Sequence, residues 1–369
     1  MSKEIVAVYN EKVNDHQPPF DIYNGMHIPH FDTPERAKAI ITALSSLKDT
    51  DDVEIVEPKE FGMPFIYSVH DEEYIGYLKK ISEKMEQKPS VLIPEIVDTD
   101  TQKVNIKQYP AFTYPSAFPH GRNPRSTSRQ GDQGIFAFDT LTPIMANTYD
   151  LALNSAYIAL TGADLLAQGK SLVYSLCRPP GHHAESKRMG GYCYLNNASL
   201  AARFLLEKTQ KKVVILDIDA HHGNGTQDIF YDSSDVFYIS LHGDPSQTPP
   251  FYSGYADEKG KGKGYGYNLN IPLPKGSEGD KYLERIDFAI SKIKEFMPGY
   301  LIVSLGFDGY IHEPLHVFNL TTACYEQIAN RIGKLNIPTL SVQEGGYFTK
   351  DLSLNIYTYL KSLSEGKIK

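Results

Sequence analysis

"KVVILDIDAHHGNGTQDIF" runs from Lys212 to Phe230. Its first half is a near-continuous apolar, β-branched run, the pattern of a strand buried on both faces. Its second half breaks into acids, histidines and glycines. Six other runs share the apolar half: IVAVY from Ile5, VEIVEP from Val53, SLVYSLC from Ser171, DVFYISLH from Asp235, YLIVSLGFD from Tyr300 and PTLSVQEGG from Pro338. Between them lie stretches of helical period, Thr33 to Leu47, Asp71 to Lys84, Asp150 to Gln168, Asn196 to Lys208, Asp280 to Phe296, Thr321 to Leu335 and Lys350 to Ser364. Buried strands alternating with helices predict an α/β fold, its central, mostly parallel sheet flanked by helices on both faces. Ligands bind such sheets beyond the carboxyl ends of the strands. Asp217, Asp219, His242, Asp308 and Glu344 all fall there.

The chain has 369 residues, 41% hydrophobic and 22% charged, enough for one large domain or two modest ones. No linker divides it, so residues 1–369 are expected to form a single domain. A net charge of −8 gives no basic field to attract nucleic acid or an anionic membrane. No apolar run reaches the ~18 residues of a membrane span, and MSKEIVAVYNEKVNDHQ lacks the pattern of a signal peptide. Cys177, Cys193 and Cys324 are too few and scattered for a disulfide framework or a thiolate zinc cage. Small buried thiols in a reducing compartment fit better, with the cytosol as default and non-classical export left open. From Pro110 to Gly134 no helical or strand period is visible. A loop that long is usually functional, and an insertion around 100–134 reads as a lid, a channel wall or an oligomer contact. GKGKGYG, from Gly260, lacks the context of a phosphate loop and reads as a flexible surface loop.

Chemistry concentrates in the polar half of the opening stretch. Asp219 and His221 stand two apart, and in an extended segment residues two apart share a side. They can converge on one ion, to which Asp308 adds a carboxylate from the same sheet edge. Two carboxylates and one imidazole with room for water match a catalytic rather than a structural zinc site. The oxygen-rich set also admits Fe2+, Mn2+ or Co2+. Strand-end Asp residues often cap helices instead, but capping leaves the histidines unexplained.

A second segment, RPPGHHAESKRMGGYCYLNNAS from Arg178 to Ser199, places His182 and His183 on a loop stiffened by Pro-Pro-Gly, on the same rim. Amide hydrolysis by an ion-activated water needs a base for the water's proton and an acid for the leaving nitrogen. An acidic partner hydrogen-bonded to one imidazole would hold it and favour its charged form. Asn224 could orient the other without adding charge. Tyr347, after the Gly-Gly of QEGGYF, could steady a developing oxyanion.

Taken in order, RPPGHHA, GGYCYLNNA, DIDAHHGNGTQ, SLHGDP, LGFD and EGGY resemble the histone deacetylase superfamily, within the arginase–deacetylase fold, over most of the chain. HHGNGTQDIFY, SLHGDP and GYADEKGKGKGYGYNLNIPLP are most similar to its bacterial acetylpolyamine amidohydrolase branch. The resemblance implies a Zn2+-dependent deacetylase that releases acetate from an acetylated cationic small molecule such as an acetylpolyamine, or from acetyl-lysine in a protein such as a histone. It implies zinc on Asp219, His221 and Asp308, and His183 as general base and acid with Asn224 behind it. His182 would be its electrostatic partner, paired with Asp217, and Tyr347 would polarise the acetyl carbonyl. Gly191 and Tyr192 would line the acyl tunnel. K+ would sit on Asp217, Ser240 and the backbone of Asp219, His221 and Leu241. Arg36 would border an internal cavity through which acetate leaves. Polyamine-specific relatives carry an acid in the long loop, where this chain has Gln130 with Asp132 close by; the loop itself implies a homodimer. Two other classes keep these residues in view: a non-catalytic acyl-lysine-binding module, and a ureohydrolase-like enzyme, which would demand a second metal site.

Overall fold

The computed structural model describes residues 5–23, 25–50, 52–98, 103–119 and 126–367. Its centre is an eight-stranded sheet, whose strands we label in chain order: β1 (Ile5–Val8), β2 (Val53–Val56), β3 (Leu172–Ser175), β4 (Val213–Asp217), β5 (Val236–Gly243), β6 (Asn268–Leu273), β7 (Tyr300–Leu305) and β8 (Thr339–Gln343). They lie in the order β6-β5-β4-β7-β8-β3-β1-β2. Every pairing is parallel. β1, β3, β4, β5, β7 and β8 are buried at every residue, so no face meets water. Two groups of helices supply the cover. Thr349–Glu365 packs with both Pro34–Asp49 and Thr322–Gly333, while Thr148–Ala167 packs with Asn197–Thr209. Local signals place their starts: Pro34 opens the first turn of its helix, and the Asp71 carboxylate accepts from the backbone N–H groups of Glu73 and Tyr74.

All seven expected strands lie in the sheet. The eighth, β6, lies just beyond GKGKGYG, in a stretch to which the sequence reading assigned no element. Its Asn268 and Asn270 are buried because both amides donate to Gln227 Oε1, at 2.9 and 2.8 Å. The Pro110–Gly134 stretch is not without regular structure either. Phe112–Thr113 pairs with Ile144–Met145, and Arg129–Ile135 is a helix whose cap, Ser128, accepts from Gly131 N at 3.1 Å. Two glycines in seven residues hid that helix from the sequence pattern. Just before it, Val91–Asp98 and Lys103–Tyr109 form an antiparallel hairpin. Residues 120–125 of the insertion lie outside the described residues.

The order of the strands positions the site. From β4 the chain works outward through β5 and β6, then returns to place β7 on the other side of β4 and β8 beyond it. This reversal between β4 and β7 is a topological switch point, where the loops leaving the two strand ends diverge and open a crevice.

Candidate active site

β4 stops at Asp217, and the next residues bend rather than continue extended. Asp219 and His221 therefore converge through those bends, not through the strand alternation expected from the sequence. Main-chain donors fix the carboxylates. Asp219 Oδ1 accepts from His221 N (2.9 Å) and its Oδ2 from Gly345 N (2.9 Å), while Asp308 Oδ1 accepts from Ala220 N (2.8 Å). Gly345 cannot be larger, since a Cβ there would lie 2.6 Å from Asp219 Oδ2.

Asp219, His221 and Asp308 are buried, with one candidate ligand atom from each within 4.8 Å of the others. His221 Nδ1 is 2.7 Å from Asp308 Oδ2 and 3.3 Å from Asp219 Oδ1. Burial and the Asp219 charge push Asp308 up to about 6. Burial alone would lower His221, yet its two carboxylate neighbours raise it to about 10. The cluster thus calls for positive charge at its centre, beyond the flanking charge of His182, whose Nε2 lies 3.7 Å from Asp219 Oδ1. Three buried donors in want of a cation fit a divalent metal ion.

The histidine pair arrives on the loop after β3. Glu344, at the end of β8, accepts from Gly181 N (2.7 Å) and His182 N (3.1 Å), clamping that loop to the sheet. Burial raises its carboxyl to about 7. His182 donates from Nδ1 to Asp217 Oδ2 at 3.0 Å, and Tyr238 OH donates to the same oxygen at 2.9 Å. His183 donates from Nδ1 to Asn224 Oδ1 at 2.7 Å. Burial would neutralise both rings. For His182 the charges of Asp219 and Asp217 overcome it and hold the imidazolium well above the usual range. For His183 burial and the neighbouring positive charges of His182 and His221 act together, and the ring stays neutral.

Tyr347 is held by its backbone. Its N–H and that of Phe348 donate to the Glu313 carboxylate at 2.8 and 2.7 Å. The Arg36 guanidinium stacks 4.6 Å from its ring centroid and donates to Gly346 O and Glu344 O, each at 2.6 Å. Burial keeps the Tyr347 hydroxyl protonated. Gly191 and Tyr192 both have positive φ, +55° and +69°. Gly191 N donates to Asp139 Oδ2 (2.5 Å), and Tyr192 OH to Asp21 Oδ2 (2.5 Å). A cavity of about 990 Å³ runs over this floor, lined by His183, His221, Gly191, Tyr192 and Tyr347.

Most of the expected site residues meet here. Ser240 stands beside Asp217 as its register partner on β5, with Leu241 next along the strand. Arg36 lies buried behind Tyr347. Asp132 is not among the cavity's lining residues, so the expected acid of the long loop does not reach the described site; the side chain of Gln130 lies outside the described residues. Sequence reasoning gave no role to Glu344 and missed Glu313, Asp139 and Asp21. Each is a single acid with no repeat or spacing to flag it, though the EGGY turn does carry Glu344 beside Tyr347.

Residues 30–363 match the histone deacetylase domain. The chain is 36% identical over 357 residues to acetylpolyamine amidohydrolase 1 of Pseudomonas aeruginosa, covering 97% of this chain and 98% of that one. It is 37% identical over 346 residues to the acetylpolyamine amidohydrolase of Mycoplana ramosa, covering 93% and 95%. Among solved structures, the acetylpolyamine aminohydrolase of Burkholderia pseudomallei superposes with a TM-score of 0.88 at 32% identity, over 99% of this chain and 100% of that one.

Proposed function

The chain belongs to the histone deacetylase family, and on that premise we propose that it hydrolyses the acetyl amide of an N-acetylated polyamine, releasing acetate and the free amine. One observation carries the reading. Two adjacent histidines stand in opposite protonation states beside a three-donor cluster, and the neutral one, His183, lines the cavity. The four full-length relatives named as acetylpolyamine amidohydrolases support the choice of amine.

Asp219, His221 and Asp308 would hold the ion, which we take to be Zn2+; bound there, it supplies Lewis-acid chemistry that polarises a carbonyl and acidifies water. His183 does the proton work. Its Nδ1–H is committed to Asn224, so Nε2 carries the free lone pair that accepts a proton from water as the water oxygen bonds to the acetyl carbon. The same nitrogen then returns that proton to the amine nitrogen as the C–N bond breaks. His182, held charged by Asp219 and Asp217, keeps a fixed positive field beside the developing oxyanion. The Tyr347 hydroxyl, kept protonated, donates a hydrogen bond to that oxygen. The backbone carbonyl of Gly191 would accept from the substrate amide, with Tyr192 as the tunnel wall.

K+ is assigned to Asp217, Ser240 and the backbone oxygens of Asp219, His221 and Leu241. Burial raises the Asp217 carboxyl, and an adjacent monovalent cation would offset the cost of its charge. Arg36 would meet acetate behind Tyr347. A homodimer through the insertion around 100–134, together with the hairpin strand that leads into it, would cover Ile106 and Leu92, which are 70% and 64% exposed. Three buried free thiols suit the cytosol, and no helix among the described residues is long and apolar enough to cross a membrane.

The deciding experiment is acetate release from N-acetylputrescine against an acetyl-lysine peptide by ion-loaded protein. Preference for the acetylated diamine is expected. Preference for the peptide would move the enzyme to protein substrates, and no release from either would leave the acyl-lysine-binding module.

A further inference from the structure

An asparagine behind a catalytic imidazole poses a problem that an aspartate does not. Its amide has an acceptor end and a donor end, and either can face the ring. With the oxygen toward His183, Nδ1 carries the proton and Nε2 is free to act as a base. With the NH2 group toward His183, Nδ1 becomes the acceptor, the proton moves to Nε2, and the base is silenced. Nothing within Asn224 chooses between these arrangements.

Glu185 supplies the choice. Its Oε1 lies 3.1 Å from Asn224 Nδ2, and a carboxylate can only accept. The NH2 group must therefore face Glu185, which leaves Oδ1 to take the His183 Nδ1–H at 2.7 Å. The carbonyl of His183 adds a longer acceptor, 3.4 Å from the same Nδ2. Glu185 is itself anchored. Arg188 Nε and Nη2 each stand 2.6 Å from Oε2. Glu185 N donates to Arg188 O at 2.9 Å, and His70 Nδ1 donates to Glu185 O at 3.1 Å. Burial raises the carboxyl, and the Arg188 charge pulls it back toward the ionised form the arrangement requires.

We propose that Glu185 is a positioning residue, fixing the amide orientation of Asn224 and through it the proton tautomer of His183. This rests on the reading of His183 as general base, and its test separates the two. Glu185→Gln replaces an acceptor-only group with one that can donate or accept. We expect kcat to fall by about tenfold, the scale of losing a partner one bond removed from the chemistry, with KM little changed. In Asn224→Asp the tautomer is fixed without help, while a second carboxylate faces Glu185. There Glu185→Gln restores a donor and should raise kcat. A fall in both backgrounds marks a merely structural role and overturns the proposal. Nitrogen NMR of His183 in ion-loaded protein needs no turnover: the wild type should show the Nδ1–H tautomer and Glu185→Gln a mixture. An Nε2–H tautomer in the wild type would overturn the proposal even if the variant did not fold. Absence of acetate release from the wild type would remove the proposed reaction and leave the tautomer measurement standing.

Discussion

The imidazole rings of His182 and His183 lie 4.1 Å apart, centroid to centroid, and carry different charge. Asp219 and Asp217 hold the first charged, while burial and the positive charges of His182 and His221 keep the second, backed by an uncharged amide, neutral. Moving a carboxylate from one to the other would change which nitrogen can take a proton.

His183→Ala should therefore lower kcat by about 10²–10⁴, the usual range for a general acid–base group, while ion content stays at the wild-type value. Acetate release paired with elemental analysis checks both halves. Full turnover would remove His183 from the mechanism.

The opposite pattern is expected at the cluster. Asp308→Ala deletes one of three donors, so ion content should fall below that of the wild type under matched dialysis. Stripping the wild-type ion with a chelator should lower Tm, because an ion bound only by the folded state stabilises that state. A Tm indifferent to chelation would deny the site its ion.

Tyr347→Phe removes a hydroxyl and little else, since the ring still lies under Arg36 and the backbone still meets Glu313. We expect kcat to fall by about 10²–10³, the scale for losing an oxyanion donor, with Tm unchanged within error.

Gly191→Ala should harm the same step from another direction. An added Cβ would lie 2.3 Å from His183 Cδ2, at a φ of +55° that side chains rarely adopt. The ring must tilt away from Asn224, so kcat should drop more than KM rises. A crystal structure of the variant with His183 undisturbed would contradict the assigned packing.

Acid should destabilise the protein through histidines outside the reaction. Burial pushes His70 and His242 down to about 4. Their folded values lie below the ordinary 6.5, so the unfolded chain binds more protons between those limits. Stability present above pH 6.5 is lost as the pH falls toward 4, by up to about 3 kcal/mol per group. Urea midpoints across that range test this, and His70→Gln should flatten the profile. His70 is well placed to matter, since its Nε2 accepts from Asn196 N at 2.9 Å beside the histidine loop.

Legibility followed a physical rule. β4, β5, β7 and β8 could be read because strands buried on both faces leave uninterrupted apolar runs. β6 could not, because its buried asparagines find partners in Gln227, 41 and 43 residues earlier. Two members of the three-donor cluster were legible because Asp219 and His221 share one short motif. Glu185, Glu313 and Glu344 act through hydrogen bonds to backbone or amide groups, and only folded distances reveal that work.

The sheet's strand order also fixes when the site can exist. Asp219 and Asp308 hang from neighbouring strands, yet 88 positions of chain, including β5 and β6, are made between them. Tyr347 follows later still. A polypeptide leaving the ribosome therefore carries its histidines and first ligands long before the partners that complete them. Catalytic competence arrives late, once nearly all of the sequence through Tyr347 has been synthesised and β7 and β8 have slotted in between β4 and β3.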